Sequence, residues 1–452
     1  MMLADVNVGL HVWTIIVGAM CAAACALPGS LLVLRRMSMM GDAISHTVLP
    51  GIAIAFMLTN SRAALPMLIG AAVVGVVTAL LVEVIQRRGS TDTGAAMGIV
   101  FTTLFALGII LIRRAASADH VDLDPGCVLY GAIETSYLEP FLWQGEVVRI
   151  FGSHIPRAAV INAVIFCVNL ALVFAFFKEF RISAFDPALS TTVGINARAM
   201  HYLLMVMTAT TTVASFETVG SILVIAMLIV PAATAYLLTD RLRTMMVLSV
   251  LFAVAAALFG HLGAITVPTW FGFEGTSTAG SMACAAGVLF GLAWVGGPRH
   301  GVVARIVHRT RLRQRIVRED ALGMLYRLEE SGETLSRRDL MTTLARSLHL
   351  KAKDIGSALR TLRRQAFITV GAEGTAGHPA LTARGREQAR ELVRTHRLWE
   401  QYLVEHGGVS PDHVHGTAME LEHLGDGDLR ERLERDVGPA DRDPHGRDIP
   451  PA

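Results

Sequence analysis

The chain has 452 residues, of which 52% are hydrophobic and 17% charged, with a formal net charge of +2. These averages hide two populations, and they exclude a chain of uniform character. Residues 1–297 hold 14 of the 40 Lys and Arg and 15 of the 38 Asp and Glu, so the second, shorter part carries most of the charge. A composition step this sharp at Gly296-Gly297-Pro298 marks a domain boundary.

The first part is a series of apolar runs near 8–34, 39–59, 64–86, 94–112, 157–177, 200–215, 219–239, 244–262 and 278–297. Crossing ~30 Å of hydrocarbon takes ~20 helical residues. The 200–215 run is short, so the expected count is eight or nine spans. One such run is compatible with a buried helix of a soluble core; a succession of them is not. The basic residues set the orientation. Arg35-Arg36, Arg87-Arg88, Lys178 to Arg198, and Arg241 with Arg243 are separated by pairs of spans, and a run from Arg299 to Arg318 follows the last. They place that face and the C-terminal part in the cytoplasm. Arg113-Arg114 falls on the opposite side. The first apolar run lacks a basic leader and is too long for a cleavable signal. Cys21, Cys25, Cys127, Cys167 and Cys284 read as small hydrophobes, since no zinc-type pair of pairs occurs.

Charged groups within spans are costly and usually functional. Asp42 and His46 are four residues apart in Met37-Ser-Met-Met-Gly-Asp42-Ala-Ile-Ser-His46-Thr-Val-Leu-Pro50-Gly51, so a helix puts them on one face. A carboxylate and an imidazole so placed are half a site for manganese, iron or zinc. The alternative is a helix-capping Asp beside a His bonded to a neighbouring helix. Pro50-Gly51 interrupts the helix one turn later, and irregular backbone at depth lines a cavity. Glu83 reads as snorkelling beside Arg87, Glu217 as interfacial, His201 and His261 as interfacial, and Asn162 and Asn169 as interhelical hydrogen-bonders.

Gly41 to Gly51 resembles the hallmark of the metal-ion permease family of ABC importers, the manganese/zinc/iron branch. Phe185-Asp186-Pro187-Ala-Leu-Ser-Thr-Thr-Val-Gly194 resembles that family's cytoplasmic loop, and Val219 to Ala235 its late Pro-Ala-Ala span. The resemblance covers about residues 8–297. It implies that Asp42 and His46 contact the metal in the translocation path, and that a second copy or a paralogue faces them across a dimer axis. It also implies that Phe185, Asp186, Pro187 and Gly194 belong to the surface on which an ATPase subunit docks. The chain has no Gly-x-x-x-x-Gly-Lys-Ser/Thr, and its three lysines, Lys178, Lys351 and Lys353, do not follow a glycine. A phosphate-cradling loop is therefore missing. The chain is not expected to be an enzyme: ATP hydrolysis falls to a separate subunit, and an extracytoplasmic metal-binding protein delivers the ion.

Beyond a basic linker at 298–317, the periodicity predicts a helix ending at Gly332 with Leu322, Leu325, Tyr326 and Leu328 inward. A helix capped by Ser336 follows, carrying Leu340, Leu344 and Leu348. A turn at His349-Leu350 leads to a helix over 351–364. Ile355, Leu359 and Leu362 face inward on it; Lys351, Lys353, Ser357, Arg360, Arg363 and Arg364 face outward. Phe367–Val370, a Gly-rich turn and Ala380–Thr382 form a hairpin. Together these describe a winged helix-turn-helix over 318–382, whose basic helix suits a DNA major groove or, alternatively, is a solvated face. Thr382 caps a long helix to about His406, with His396 and Glu400 four apart. His415, Met419, Glu422 and His423 share the face of the next. His and carboxylate donors suit manganese or iron better than structural zinc, the alternative being a surface salt-bridge network.

This second part resembles the metal-dependent repressors of the iron/manganese-responsive family over about residues 318–430. The carrying residues are Asp320, His396-Arg-Leu-Trp-Glu400, and His415 through Glu422-His423. The resemblance implies that Asp320, His396, Glu400, His415, Met419, Glu422 and His423 are sensor ligands and that residues 383–430 form a metal-sensing dimerisation domain. Gly323 and Met419 depart from the ligands usual in that family, which weakens one of the paired sites. Residues 431–452 read as a disordered polar tail. The fold class expected is mainly α: a polytopic plasma-membrane domain over 1–297, then a cytoplasmic winged helix-turn-helix and a helical metal-binding dimerisation domain. The function expected is permease subunit plus metal-responsive regulator. The alternatives are a membrane-anchored repressor without transport, or a transporter with an autoinhibitory sensor.

Overall fold

The computed structural model describes residues 2–60, 64–119, 133–143, 146–150, 153–272, 276–332, 337–347, 352–370, 379–424, 427–438 and 441–451. The chain divides into two compact units, Met1–Arg305 and Ile306–Ala452. The boundary thus lies a little beyond the glycine pair at which composition changes.

In the first unit the helices are α1 (Met2–Leu34), α2 (Ser38–Thr47), α3 (Leu49–Thr59), α4 (Ala64–Gly89), α5 (Thr93–Asp119), α6 (Arg157–Ala175), α7 (Phe177–Phe185), α8 (Pro187–Thr192), α9 (Ala197–Leu238), α10 (Leu242–Thr266) and α11 (Thr278–Gly296). Among the described residues, nine helical segments are long and apolar enough to cross a bilayer. The short run expected at 200–215 is one of them, Ala197–Phe216. The 42 residues of α9 would extend ~63 Å if continuous, about twice the hydrocarbon thickness. They make two spans instead, because Gly220 interrupts the helix with φ 75° and ψ 166°, a region open in practice to glycine alone. Two short antiparallel pairs, β1 (Leu142–Trp143) with β2 (Glu146–Val147) and β3 (Arg149–Ile150) with β4 (Ser153–His154), lie between α5 and α6.

Helix α1 packs against α9, α10 and α6 and carries the buried Val17, Cys21, Cys25 and Leu31. Buried polar groups fasten the bundle. Asn169 on α6 donates to Thr211 Oγ1 on α9 at 2.7 Å and to the Ala24 carbonyl on α1 at 3.2 Å. Ser215 donates to Asn162 Oδ1 at 3.0 Å, and Ser30 to Ser249 Oγ at 3.0 Å. Both asparagines therefore act between helices, as their sequence context suggests. Glu83 accepts from the Tyr202 hydroxyl at 2.6 Å.

Backbones meet where α3 crosses α4. A Cβ at Gly51 would collide with the Gly70 carbonyl, and a Cβ at Gly70 with that of Gly51. Gly51→Ala is therefore expected to destabilise the membrane unit by about 1–3 kcal/mol through overpacking. A lowered melting temperature of the detergent-solubilised chain would check this; an unchanged one would contradict the close approach.

The second unit contains α12 (Val302–Ser331), which begins in the first unit, α13 (Arg337–Ser347), α14 (Ala352–Arg364), α15 (Ala383–Glu405), α16 (Pro411–Leu421) and α17 (Gly427–Val437). The strands β5 (Ile368–Val370) and β6 (Pro379–Leu381) pair antiparallel, with Thr369 opposite Ala380. Leu322, Leu325, Leu340, Leu344, Ile355, Leu359, Leu362, Ile368 and Leu381 form one core, as the periodicity predicts, with Tyr326 and Leu328 partly buried against it. Leu348, Ser336, the His349-Leu350 turn and the Gly-rich turn of the hairpin lie outside the described residues. Gly332 ends α12 at φ 70°, and Thr382 caps α15 by accepting from Gly385 N at 3.0 Å.

The basic stretch expected as a linker at 298–317 is helical from Val302 onward. The stretch from Val302 to Ser331 contains no proline, and its one glycine, Gly323, packs in the core. Two expectations are corrected. The helix carrying His415 stops at Leu421, and Glu422–Leu424 tightens into a 3₁₀ turn. The 431–452 segment is ordered where it is described. Helix α17 runs to Val437, and Leu433 and Ile449 bury against Leu398.

Candidate functional site

Asp42 and His46 both lie on α2, one turn apart. The helix yields to α3 at Val48 because Pro50, in the first turn of α3, has no N–H for the carbonyl four residues back, that of His46. Asp42 is exposed in the single chain, and the side chain of His46 lies outside the described residues. Buried Thr47 accepts from Thr78 Oγ1 at 3.0 Å, fixing α2 against α4. The side chain of Glu217 also lies outside the described residues.

On the cytoplasmic loop, Asp186 caps α8, accepting from Ala188 N at 3.0 Å and Leu189 N at 2.9 Å, and Pro187 occupies the first helical turn. Gly194 closes the loop at φ 85°. The short helix leaves Phe185, Leu189 and Val193 uncovered, at 63%, 52% and 57% exposure. Three apolar side chains of this loop are thus open to solvent.

Six of the seven residues singled out in the second unit fall into two groups, and His415 is parted from Glu422 and His423, with which the spacing predicts a shared face. In the first, His396 and Glu400 on α15 meet His415 on α16. His396 Nε2 is 3.1 Å from both Glu400 Oε1 and His415 Nδ1, and His415 Nδ1 is 2.8 Å from Glu400 Oε1. In the second, His423 Nε2 is 3.1 Å from Asp320 Oδ1 on α12 and 3.7 Å from Glu422 Oε1. The 3₁₀ turn splits them, rotating Glu422 and His423 away from the line of His415. Glu422 joins the groups: its Oε2 lies 2.5 Å from His396 Nδ1, an ion pair whose angles do not suit a hydrogen bond. Crowded carboxylates and imidazoles this deeply buried are a donor set that fits a divalent transition metal. A cavity of about 740 Å³ beside Asp320 and Glu422 is lined also by Gly323 and Met419. The two departures from the repressor pattern thus sit next to the second group.

Electrostatics agree with ligand geometry. Burial opposes ionisation of Glu400, but hydrogen bonds from His396 and His415 outweigh it and hold the carboxyl well below its usual range. Burial would lower His423, but Asp320 and then Glu319 outweigh it, and His423 is pushed up to about 9. In the metal-free protein, His423 therefore contributes stability that is full below its ordinary value of 6.5 and lost as pH rises through about 9. Glu400 contributes stability that is present above its ordinary 4.5 and lost on acidification. With chelator present, the second unit is expected to melt highest between 4.5 and 6.5 and to weaken toward pH 9. A pH series of thermal melts checks this, and a melting temperature that rises steadily from pH 6.5 to about 9 would contradict it.

Sequence reasoning missed three residues. Glu319 accepts from His423 Nδ1 at 2.8 Å, fixing the ring so that Nε2 faces Asp320. Its position beside Asp320 was the available signal. Asp443 and His445 come from the segment read as disordered. His445 Nδ1 is 3.8 Å from Glu400 Oε2, and Glu400, Asp443 and His445 form a third group whose ligand atoms lie within 4.8 Å of one another. The signal was Asp443-Pro-His445-Gly446, a turn with two ligand types. Asp443 accepts from His445 N at 2.9 Å and Arg447 N at 2.8 Å, which shapes that turn.

On α14, Lys353, Arg360, Arg363 and Arg364 are exposed and Ser357 is half-buried; Lys351 lies outside the described residues. The basic face is therefore solvent-facing, with the basic part of α12 beside it through the Arg313–Asp354 pair at 3.1 Å.

Comparison with known proteins gives two matches within the chain. Residues 8–295 match the ABC 3 transport family, and residues 382–451 match the iron dependent repressor metal binding and dimerisation domain. The chain is 41% identical over 294 residues to the manganese transport system membrane protein MntD of Bacillus subtilis (strain 168), covering 65% of this chain and 94% of that one. It is 39% identical over 291 residues to the zinc transport system membrane protein TroD of Treponema pallidum (strain Nichols), covering 64% and 75%. Among solved structures, PsaBC from Streptococcus pneumoniae in complex with Fab superposes with a TM-score of 0.51 at 29% identity, covering 64% of this chain and 91% of that one.

Proposed function

Because this chain belongs to the ABC 3 transport family, we propose that it is the permease subunit of an ABC importer for a divalent transition metal, fused to a metal-responsive DNA-binding regulator of uptake. It is a multi-pass protein of the plasma membrane and a transporter component rather than a catalytic enzyme. In this reading Asp42 and His46 hold the ion as it crosses, and a second copy or a paralogue supplies the facing ligands. A separate ATPase subunit docks on Phe185, Asp186, Pro187 and Gly194, and an extracytoplasmic metal-binding protein delivers the ion. Manganese or iron is favoured over zinc, because the cytoplasmic groups offer imidazole and carboxylate without thiolate.

A bound cation would compensate the crowded carboxylates of the second unit. His396, Glu400 and His415 would hold one ion, and Asp320, Glu422 and His423 another, with Met419 at the margin. Asp320 stands on α12 and Glu422 and His423 at the end of α16, so filling that group ties the first helix of the winged domain to the dimerisation helices. Lys351, Lys353, Ser357, Arg360, Arg363 and Arg364 then present the face toward DNA phosphates. The observation that carries this reading is the convergence of His and carboxylate donors in the interior, on the same chain as the permease spans. A gel shift with the 306–452 unit and its own upstream DNA is the test. A shift that needs manganese or iron and weakens with salt supports the regulator; DNA left free at every metal concentration would sink that half of the reading.

A further inference from the structure

At the other end of the membrane unit, two histidines meet that the transport path described above does not use. His11 lies on α1 and His261 on α10, and His11 Nδ1 is 3.1 Å from His261 Nε2. His261 is 4% exposed, whereas His11 is exposed. Thr278 Oγ1, in the first turn of α11, is 3.4 Å from His261 Nδ1, and the Thr278 backbone N–H donates to Glu134 Oε1 at 2.7 Å. His261 Nδ1 faces that hydroxyl, which leaves Nε2 directed at His11. A buried imidazole and an exposed imidazole thus face each other, with the exposed Glu134 carboxylate held at the start of α11.

Their side of the membrane follows from the chain direction. Helix α1 runs from His11 to Arg35-Arg36, and α10 runs from Arg243 to His261; both basic ends belong to the cytoplasmic face. Helix α11 starts at Thr278 and ends before Arg299. All three elements therefore place this cluster at the extracytoplasmic mouth. Metal–imidazole bonds of ~2.0–2.1 Å put two ligand nitrogens roughly 2.9–3.4 Å apart around one ion, and the observed separation lies in that range.

We propose that His11 and His261 form a second divalent-metal site at the extracytoplasmic mouth, which receives the ion before it reaches Asp42 and His46. This role rests on the transport reading above; the binding itself does not. Two protein nitrogens leave the remaining coordination positions to water, so the site exchanges its ion readily, as a receiving site must.

The test uses the full chain in right-side-out membrane vesicles. Diethyl pyrocarbonate is added from outside, and modification of His11 is quantified on its peptide by mass spectrometry, with and without external manganese or zinc. Reading that single peptide separates this site from the metal-binding groups of the second unit. Metal is expected to slow His11 modification several-fold in the wild-type chain and in Asp42→Ala, and to give no protection in His261→Gln. Unchanged modification of wild-type His11 at all metal concentrations would overturn the site and leave a simple hydrogen-bonded imidazole pair. In the assembled importer, His261→Gln is expected to raise KM for the ion about tenfold, the low end of what loss of a metal-site partner costs, with Vmax retained. An unchanged KM would overturn the receiving role. Protection of His11 without any wild-type uptake would uphold the site and reject the transport reading.

Discussion

Asp42→Ala and His46→Ala are each expected to reduce metal uptake to background while the chain still inserts and assembles. A divalent ion within the bilayer has lost water and must be repaid by protein ligands, and an unpaired charge there costs several kcal/mol at the least. The α2 face offers one carboxylate and one imidazole per copy, and the Asp42 carboxylate supplies the negative charge. Its loss removes that carboxylate from the proposed path, and loss of His46 removes the second ligand of the pair. Metal binding by the second unit should survive both changes, because its ligands lie beyond residue 305. Initial rates of radiolabelled uptake, with metal content of the purified chain as control, measure this. Uptake near the wild-type rate in both variants would remove Asp42 and His46 from the path.

The second large effect concerns Arg397, which is 3% exposed and ties three stretches of the cytoplasmic unit together. Its guanidinium donates to both Glu330 carboxylate oxygens on α12, at 2.5 and 3.1 Å, and to the Asp448 carbonyl at 2.5 Å. It also faces buried Asp443 at 3.8 Å. Arg397→Ala leaves the Asp443 charge buried without its cation, a loss of about 3–5 kcal/mol for breaking a buried pair. In a unit of this size that lowers the melting temperature by about 10 °C. Since Asp443 shapes the turn that brings His445 to Glu400, metal affinity should fall as well. Denaturation of the 306–452 unit, with Arg397→Ala/Asp443→Ala as a partial rescue, tests this. A change under about 1 kcal/mol would show that the closing segment contributes little.

The membrane unit is legible because hydrocarbon imposes one requirement, apolarity over a fixed length, and the runs in the sequence meet it. The interhelical roles of Asn162 and Asn169 follow from the same rule, since a buried amide must find a partner. The core of the winged domain follows from helical spacing, which puts Leu340, Leu344, Ile355 and Leu359 inward without reference to distant residues. Part of what was not legible depends on contacts far along the chain. The His11–His261 pair is one, since 250 residues separate its members. The final segment reads as disordered because its composition is polar, yet Ile449 seated on Leu398 and the Asp443–Arg397 pair suffice to order it. The donors of the second unit were visible as residue types at helical spacing. Their division into separate groups was not, because the 3₁₀ turn at Glu422 breaks the spacing on which a single face depends.

The central claim, that this polypeptide moves a transition metal, is tested most directly by radiolabelled manganese uptake in cells lacking their own importers. The cells would express the wild-type chain with its ATPase and metal-binding protein, with iron and zinc as competitors. The account predicts ATP-dependent uptake that excess unlabelled manganese or iron suppresses. No uptake above background, with assembly of the subunits confirmed, would contradict it and leave a membrane-anchored metal-responsive regulator.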